Sequence, residues 1–406
     1  MTITDTDERG VAQSTRNRSG APRLLFVTTA SITLRSFLLP IASFFRAIGW
    51  RVDALAAGVS SCPECTGAFD HVWEIDWSRN AAALRNWTTS VRRVQGVVRS
   101  GEYDIVHAHT PIAGLSTRLA LRSLHRDGGP KVVYTAHGFR FYQGNSRLRN
   151  ALYIAIEKIA GRWTDRLVVI NQEDAGAAAS LKIASPDKIV FMPGIGIDPD
   201  WYQPDYSPEV RLRFREQLGI QPDEAMFTMI AEFIPRKRHH DALQAFSLVS
   251  RRHRSHLVLV GDGPLLQATR EKALECGGRV HFLGYRKDVR PIIAAADASL
   301  LSSDLEGLPR SVLESMALAT PVIATRARGS RDLLDLGVGI SVPVGDPEAL
   351  ANAMIWMHEN PAQAREMGLR GRANISRFAL SKILQLHNEL YTGLLGSGLD
   401  NLTESQ

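Results

Sequence analysis

"LLSSDLEGLPRSVLESMALATPVIAT", Leu300–Thr325, carries the reading of the fold. An apolar run ends in a polar turn with Gly307 and Pro309, a stretch of helical apolar spacing follows, and "TPVIAT" (320–325) closes it with β-branched residues. Strand, helix and strand in so short a span predict a βαβ unit with parallel strands. Pro309 suits the first helical turn, where its missing N–H is no loss. The free amides of that turn, with the helix dipole, favour an anion. Yet the junction holds two carboxylates, Glu306 in the loop and Glu314 in the helix. At 1.5 Å per residue Glu314 lies roughly 8 Å along the axis from the helix start, about the reach from a bound diphosphate to its own ribose. Glu306 suits hydroxyls at the other end of the phosphates. The plainer alternative makes Glu306 a helix-start acid and Glu314 an exposed surface residue.

The same alternation runs through the chain. "RLLFVTT" (23–29), "RVDALAA" (51–57), "YDIVHAH" (103–109), "KVVYTAH" (131–137) and "RLVVIN" (166–171) read as buried strands, with helices over 33–49, 80–100, 113–125, 146–163 and 173–182. A second set follows at 226–233, 256–263, 279–285, 298–303 and 320–325, with helices over 239–252, 264–276, 287–295, 309–319, 347–358 and 360–376. Between them Pro, Gly and Asp accumulate from 192 to 225. The expectation is α/β: two doubly wound, Rossmann-like domains facing across a cleft. Their bounds are 22–200 and 201–378, after a disordered tail over 1–21, with a last helix at 379–396.

A chain of 406 residues fits two domains of ordinary size, and 44% hydrophobic with 22% charged residues is a soluble, globular composition. No apolar run approaches the roughly 20 residues of a membrane span, and 1–21 lack a secretory signal's apolar segment, so a cytoplasmic protein is expected. The net charge of +6 suits nucleic acid, an anionic membrane or a phosphate-bearing substrate, though a generally Arg-rich proteome accounts for it equally. "CPEC" (62–65) has the spacing of half a zinc knuckle or of a redox pair, but no second pair follows, and it is taken as an ordinary loop.

Open α/β sheets bind ligands beyond the carboxyl ends of their strands, and charged residues collect there. "AEFIPRKRHHDAL" (231–243) puts Arg236, Lys237 and Arg238 after a strand, where cations neutralise phosphate. "GDGP" (261–264) resembles a phosphate turn without the spacing of a nucleotide fingerprint, and none follows the first strand, which argues against a dehydrogenase. His137 ends a strand ahead of aromatics and Arg140, placed to bond a sugar hydroxyl or move a proton. His107 and His109 form an H-x-H, as metal-dependent amidohydrolases do, but the barrel of further ligands is missing. Asp5–Asp7 and Asp198–Asp200 follow no buried strand, so no essential metal is expected. Arg92, Arg93 and Arg99 beside Val91, Val94 and Val98 suggest a membrane-facing helix; the preferred reading is a helix with its apolar side in the core.

Taken together, "EGLPRSVLESMALATPVIAT", "LVLVGDGP", "HFLGYRKDV", "VPVGDPEALANAM" and "PGIGID" resemble the retaining glycosyltransferases of family 4, which have the GT-B fold. "VVYTAHGFRFYQG" and "LVVINQEDAGAA" are similar to the branch that builds bacterial capsule, exopolysaccharide and lipid-linked glycans. The resemblance spans about residues 23–395. It implies that Glu306 contacts donor-sugar hydroxyls, Glu314 the nucleotide ribose, the amides of Gly307 and Leu308 the distal phosphate and sugar, and Lys237 the phosphates. It places His137 beside the reacting sugar, Tyr285 and Arg286 at the nucleobase, and the last helix across the first domain. Thr29, Ser31, His109 and Arg140 fall on the acceptor side. Two departures stand out: Ala231-Glu232 replaces the common Gly-Arg, leaving Arg236 or Arg238 to supply the cation, and "TTASITLRSF" lacks the frequent Gly-Gly.

The function expected is retaining transfer of a sugar from a nucleoside diphosphate, taken as UDP, to a hydroxyl of a glycan, lipid-linked or small-molecule glycoside acceptor. The donor is a co-substrate, and no cofactor or metal is called for. Peripheral membrane association at the inner face is the partner expectation; nucleic acid is not. The alternatives are a nucleotide-sugar epimerase of the same architecture and a non-catalytic nucleotide-sugar-binding subunit.

Overall fold

The computed structural model describes residues 20–78, 80–124, 128–142, 144–203 and 208–396. The expected tail lies outside them except for its last two positions, as does the Asp5–Asp7 pair. One sheet has seven strands: β1 (Arg23–Ala30), β2 (Arg51–Ala57), β3 (His71–Glu74), β4 (Ile105–His109), β5 (Lys131–Ala136), β6 (Arg166–Val169) and β7 (Ile189–Phe191), in the order β3-β2-β1-β4-β5-β6-β7. The other has six: β8 (Ala225–Ile230), β9 (Ser255–Val260), β10 (Val280–Gly284), β11 (Ala298–Leu301), β12 (Val322–Thr325) and β13 (Gly339–Val342), in the order β10-β9-β8-β11-β12-β13. Every pairing in this second sheet is parallel. Both orders reverse direction beside their first strand, the doubly wound, Rossmann-like arrangement.

Contacts cluster into two compact units: the chain up to Ala108 with Ile112–Val133, and His109–Pro111 with the chain from Tyr134 onward. In the first unit Leu24–Val27 of β1 are wholly buried, and the helix Thr89–Gly101 turns Val94, Val97 and Val98 inward while Arg92, Arg93 and Arg99 stay exposed. Burying one such valine is worth about 1.5–3 kcal/mol. The valine stripe therefore serves the core. "CPEC" is not a loop: Cys62 caps the helix Pro63–Ala68, the Cys65 amide points at its sulfur (3.3 Å), and the two cysteines form a disulfide. Pro63 at the first helical turn and Glu64 behind it are the local reason.

In the second unit alternate residues of each strand sort into two apolar layers. Met226, Val258, Val260, Leu301 and Val322 pack on one face, and Phe227, Met229, Leu257, Leu259 and Leu300 on the other. Both faces of the sheet are covered, which is why its strands read as unbroken apolar runs. The last helix, Leu380–Leu395, also belongs to this unit and buries Ile383, His387, Leu390 and Tyr391.

The strands predicted at 226–233 and 256–263 stop at Ile230 and Val260. Ala231 and Phe233 are buried, yet they lie in a loop. Gly261 and Gly263 hold positive φ (145° and 146°), and a Cβ on Gly261 would sit 2.1 Å from the Ala231 carbonyl oxygen. "GDGP" is thus where two strand-end loops pack backbone against backbone.

Candidate active site

The order of the second sheet places the loops after β8 and β11 side by side at its switch point. There Lys237 donates to Glu306, and both side chains are largely buried (13% and 7% exposed). Arg238 is left-handed (φ 51°) and turns the chain into the helix His239–Ser250. The buried Ser302 hydroxyl lies within bonding distance of the Lys237 and Arg238 carbonyls (2.9 and 3.0 Å). Arg236 donates to the Leu305 carbonyl (3.1 Å) and stands 4.0 Å from Glu306. Arg238 is held by Asp241, with Nε 2.6 Å from Oδ2. Of the two arginines offered as the phosphate cation, Arg236 is therefore the one beside Glu306.

Pro309 caps the helix Arg310–Ala317 at extended angles. Four residues into it, Glu314 accepts from the Tyr202 hydroxyl (2.7 Å) and from Arg310 Nε (3.0 Å). It is 7% exposed, which rules out the exposed-residue alternative, and burial raises its pKa above the usual carboxylate value. Tyr202 gave no signal in the sequence. It is 112 residues away and reaches Glu314 only through the fold.

His137 follows β5, and its carbonyl faces Gly307: a Cβ at 307 would lie 2.4 Å from that oxygen and 2.9 Å from Ile170 Cδ1. Only glycine fits there. His137 Nε2 meets His109 Nδ1 at 3.0 Å. Burial, helped by nearby His387, pushes His137 down to about 4, so its ring is neutral at pH 7.

Beneath this contact lies a buried network that no local motif announces. Arg328 donates to Asp174, to the Phe139 carbonyl (2.6 Å) and to the Phe141 carbonyl (3.2 Å). Asp174 accepts from the Phe139 amide (3.2 Å) and from Asn171 Nδ2 (2.9 Å), and Asn171 Nδ2 also reaches the Gly307 carbonyl (3.0 Å). One chain of bonds thus runs from the Gly307 loop to the segment after His137.

The remaining expected residues are spread more widely. Leu308 is partly buried against the core of the second unit. Tyr285 and Arg286 follow β10 and are exposed, and among the described residues no hydrogen bond ties them to the Lys237–Glu306 pair. Arg140 is exposed three residues past His137. Thr29 and Ser31 lie in the first unit at the end of β1, where Thr29 Oγ1 accepts from the Ala113 amide (3.4 Å). Among the described residues no group of three or more His, Cys, Asp or Glu is placed to hold a metal ion.

Two parallel Rossmann-like sheets, with cations and carboxylates at a switch point and a helix start beside them, define a group-transfer enzyme of GT-B type. The model of the family "Glycosyl transferases group 1" matches residues 210–374, and that of "Glycosyltransferase Family 4" matches residues 37–201. The chain is 32% identical over 377 residues to the putative glycosyltransferase EpsD of Bacillus subtilis, covering 92% of this chain and 97% of that one. It is 27% identical to the Escherichia coli UDP-Gal:alpha-D-GlcNAc-diphosphoundecaprenol alpha-1,3-galactosyltransferase, over 68% of this chain and 72% of the other. Anabaena HepE, crystallised with UDP and glucose, superposes with a TM-score of 0.76 at 21% identity, over 92% of this chain and all of that one. This chain belongs to glycosyltransferase family 4 and is a glycosyltransferase.

Proposed function

We propose that this glycosyltransferase moves a sugar, with retention, from a nucleoside diphosphate to a hydroxyl of a glycan, lipid-linked or small-molecule glycoside acceptor. The observation that carries the reading is the buried Lys237–Glu306 pair beside the start of the helix Arg310–Ala317, with Glu314 buried further along it. A carboxylate can only accept, so Glu306 suits sugar hydroxyls and Glu314 suits those of a ribose. The diphosphate takes the helix start and draws the ammonium of Lys237 from Glu306. UDP as the carrier, and a lipid-linked acceptor, are supported by the E. coli relative, whose name gives both; HepE was crystallised with UDP.

With Glu306 engaged by Lys237 and assigned to the sugar hydroxyls, the step we propose is front-side displacement. The anomeric C–O bond to the phosphate breaks, the acceptor oxygen bonds to the same face, and the acceptor proton passes to the leaving phosphate oxygen. Lys237, Arg236 and the helix start stabilise the charge that develops there. With cations in this role no metal is required. His137, neutral, is proposed to orient a sugar hydroxyl by hydrogen bonding. Among the described residues no helix is long and apolar enough to cross a membrane; the proposed location is the cytoplasmic face, with peripheral attachment.

The test is incubation with a panel of nucleotide sugars and a glycosyl acceptor. Nucleoside diphosphate release and a product whose anomeric configuration by NMR matches the donor support the reading. An inverted product would remove retention, and an epimerised donor without release would remove transfer.

A further inference from the structure

The apolar residues left exposed in the second unit include a stripe on one helix. In Arg147–Gly161, Leu148, Leu152 and Ile159 are 82%, 57% and 49% exposed. At about 100° per residue the three fall within an arc of about 40°, with Ala151 and Ala155 beside them. Scattered exposed leucines need no explanation, but a continuous stripe does. Arg147, Lys158 and Arg162 flank it on one side and Arg149 on the other; none of the four makes an ion pair among the described residues. The helix's single acid, Glu157, is turned inward at 9% exposure.

We infer that this helix is the surface by which the protein sits on an anionic phospholipid bilayer. An apolar centre bordered by cations on both sides matches the acyl boundary and the headgroups of such a surface. A second copy pressing the same face against this one would oppose four cations with four.

The helix is also coupled to the site. Asn150 in its first turn bonds the Tyr142 carbonyl (2.9 Å) and amide (3.3 Å) and receives Asn145 Nδ2 (3.0 Å). Tyr142 and Asn145 are thereby tied to the helix, so a bilayer under the helix lies close along the chain to Arg140 and His137. The docking surface deepens the peripheral attachment proposed above; only the membrane-borne acceptor rests on the proposed sugar transfer.

The experiment is sedimentation of the full chain with vesicles of phosphatidylcholine, with and without phosphatidylglycerol. Wild type is expected to pellet with the anionic vesicles only and to be released by salt. L148Q/L152Q/I159Q is expected to weaken the partition at least about tenfold, and R147Q/R149Q/K158Q/R162Q to abolish the preference for phosphatidylglycerol. Unchanged melting temperatures, expected for exposed positions, keep the comparison valid. The inference is overturned if wild type does not favour anionic vesicles, if the apolar triple variant binds as wild type does, or if wild type is a dimer that this variant turns into a monomer. The assay contains no nucleotide sugar, so its failure leaves glycosyl transfer standing, and the reverse holds.

Discussion

Lys237 and Glu306, 69 residues apart in the chain, meet because the loops after β8 and β11 are neighbours in the sheet. Each is the other's partner in a setting where an unpaired charge is costly. Removing the ammonium in K237M is expected to lower melting stability by about 1–3 kcal/mol and kcat by about 10²–10³-fold. The double variant K237M/E306Q is expected to regain most of the stability and none of the activity. Calorimetry and steady-state kinetics read the two effects separately.

Glu314 is held by Tyr202 and Arg310. Y202F removes one donor to a buried carboxylate without changing shape. The expected result is a donor KM raised about three- to tenfold, corresponding to about 1 kcal/mol, with kcat nearly unchanged. A fall in kcat with KM constant would place Glu314 elsewhere in the reaction.

Gly307 is needed for space. G307A would put a methyl 2.4 Å from the His137 carbonyl oxygen, and this backbone cannot yield as a flexible side chain would. Transfer is expected to fall by at least about 10²-fold, while circular dichroism stays native.

Burial pushes His137, His239 and His387 from the ordinary 6.5 down to about 4. The unfolded chain protonates these rings near 6.5 and the folded chain does not. Between those two values the unfolded state therefore binds more protons, and stability falls as pH falls. For His387, 4% exposed, the loss approaches about 3 kcal/mol. H387Q is expected to flatten the stability profile between pH 6.5 and 4, as followed by urea unfolding at several pH values.

If, as proposed, cations serve the leaving phosphate, chelation by EDTA is expected to leave initial rates within about twofold of the untreated enzyme. A loss restored by a divalent ion would assign the charge stabilisation to a metal.

Much of this was legible because parallel strands covered on both faces appear as uninterrupted apolar runs. Three strands were not: His71–Glu74, Ile189–Phe191 and Gly339–Val342 are three or four residues long, lie at sheet edges and are largely half-buried, so no run announces them. The Glu306 and Lys237 loops were readable because each motif is local. The Asn171–Asp174–Arg328 network was not, since Arg328 and Asp174 are 154 residues apart. Amphipathic helices show the limit most clearly: Val94 and Val98 turned out to face the core, whereas Leu148 and Ile159 face outward. Spacing reveals that a helix has an apolar side, but only the packing decides where that side points.

The central claim is that the Lys237–Glu306 cluster is where the donor sugar is held and transferred. Its most direct test is the rate of acceptor glycosylation by E306A beside wild type, with the nucleotide sugar at saturation and product identified by mass. The expected result is a fall of at least about 10²-fold with native circular dichroism. Transfer by E306A at the wild-type rate would contradict it.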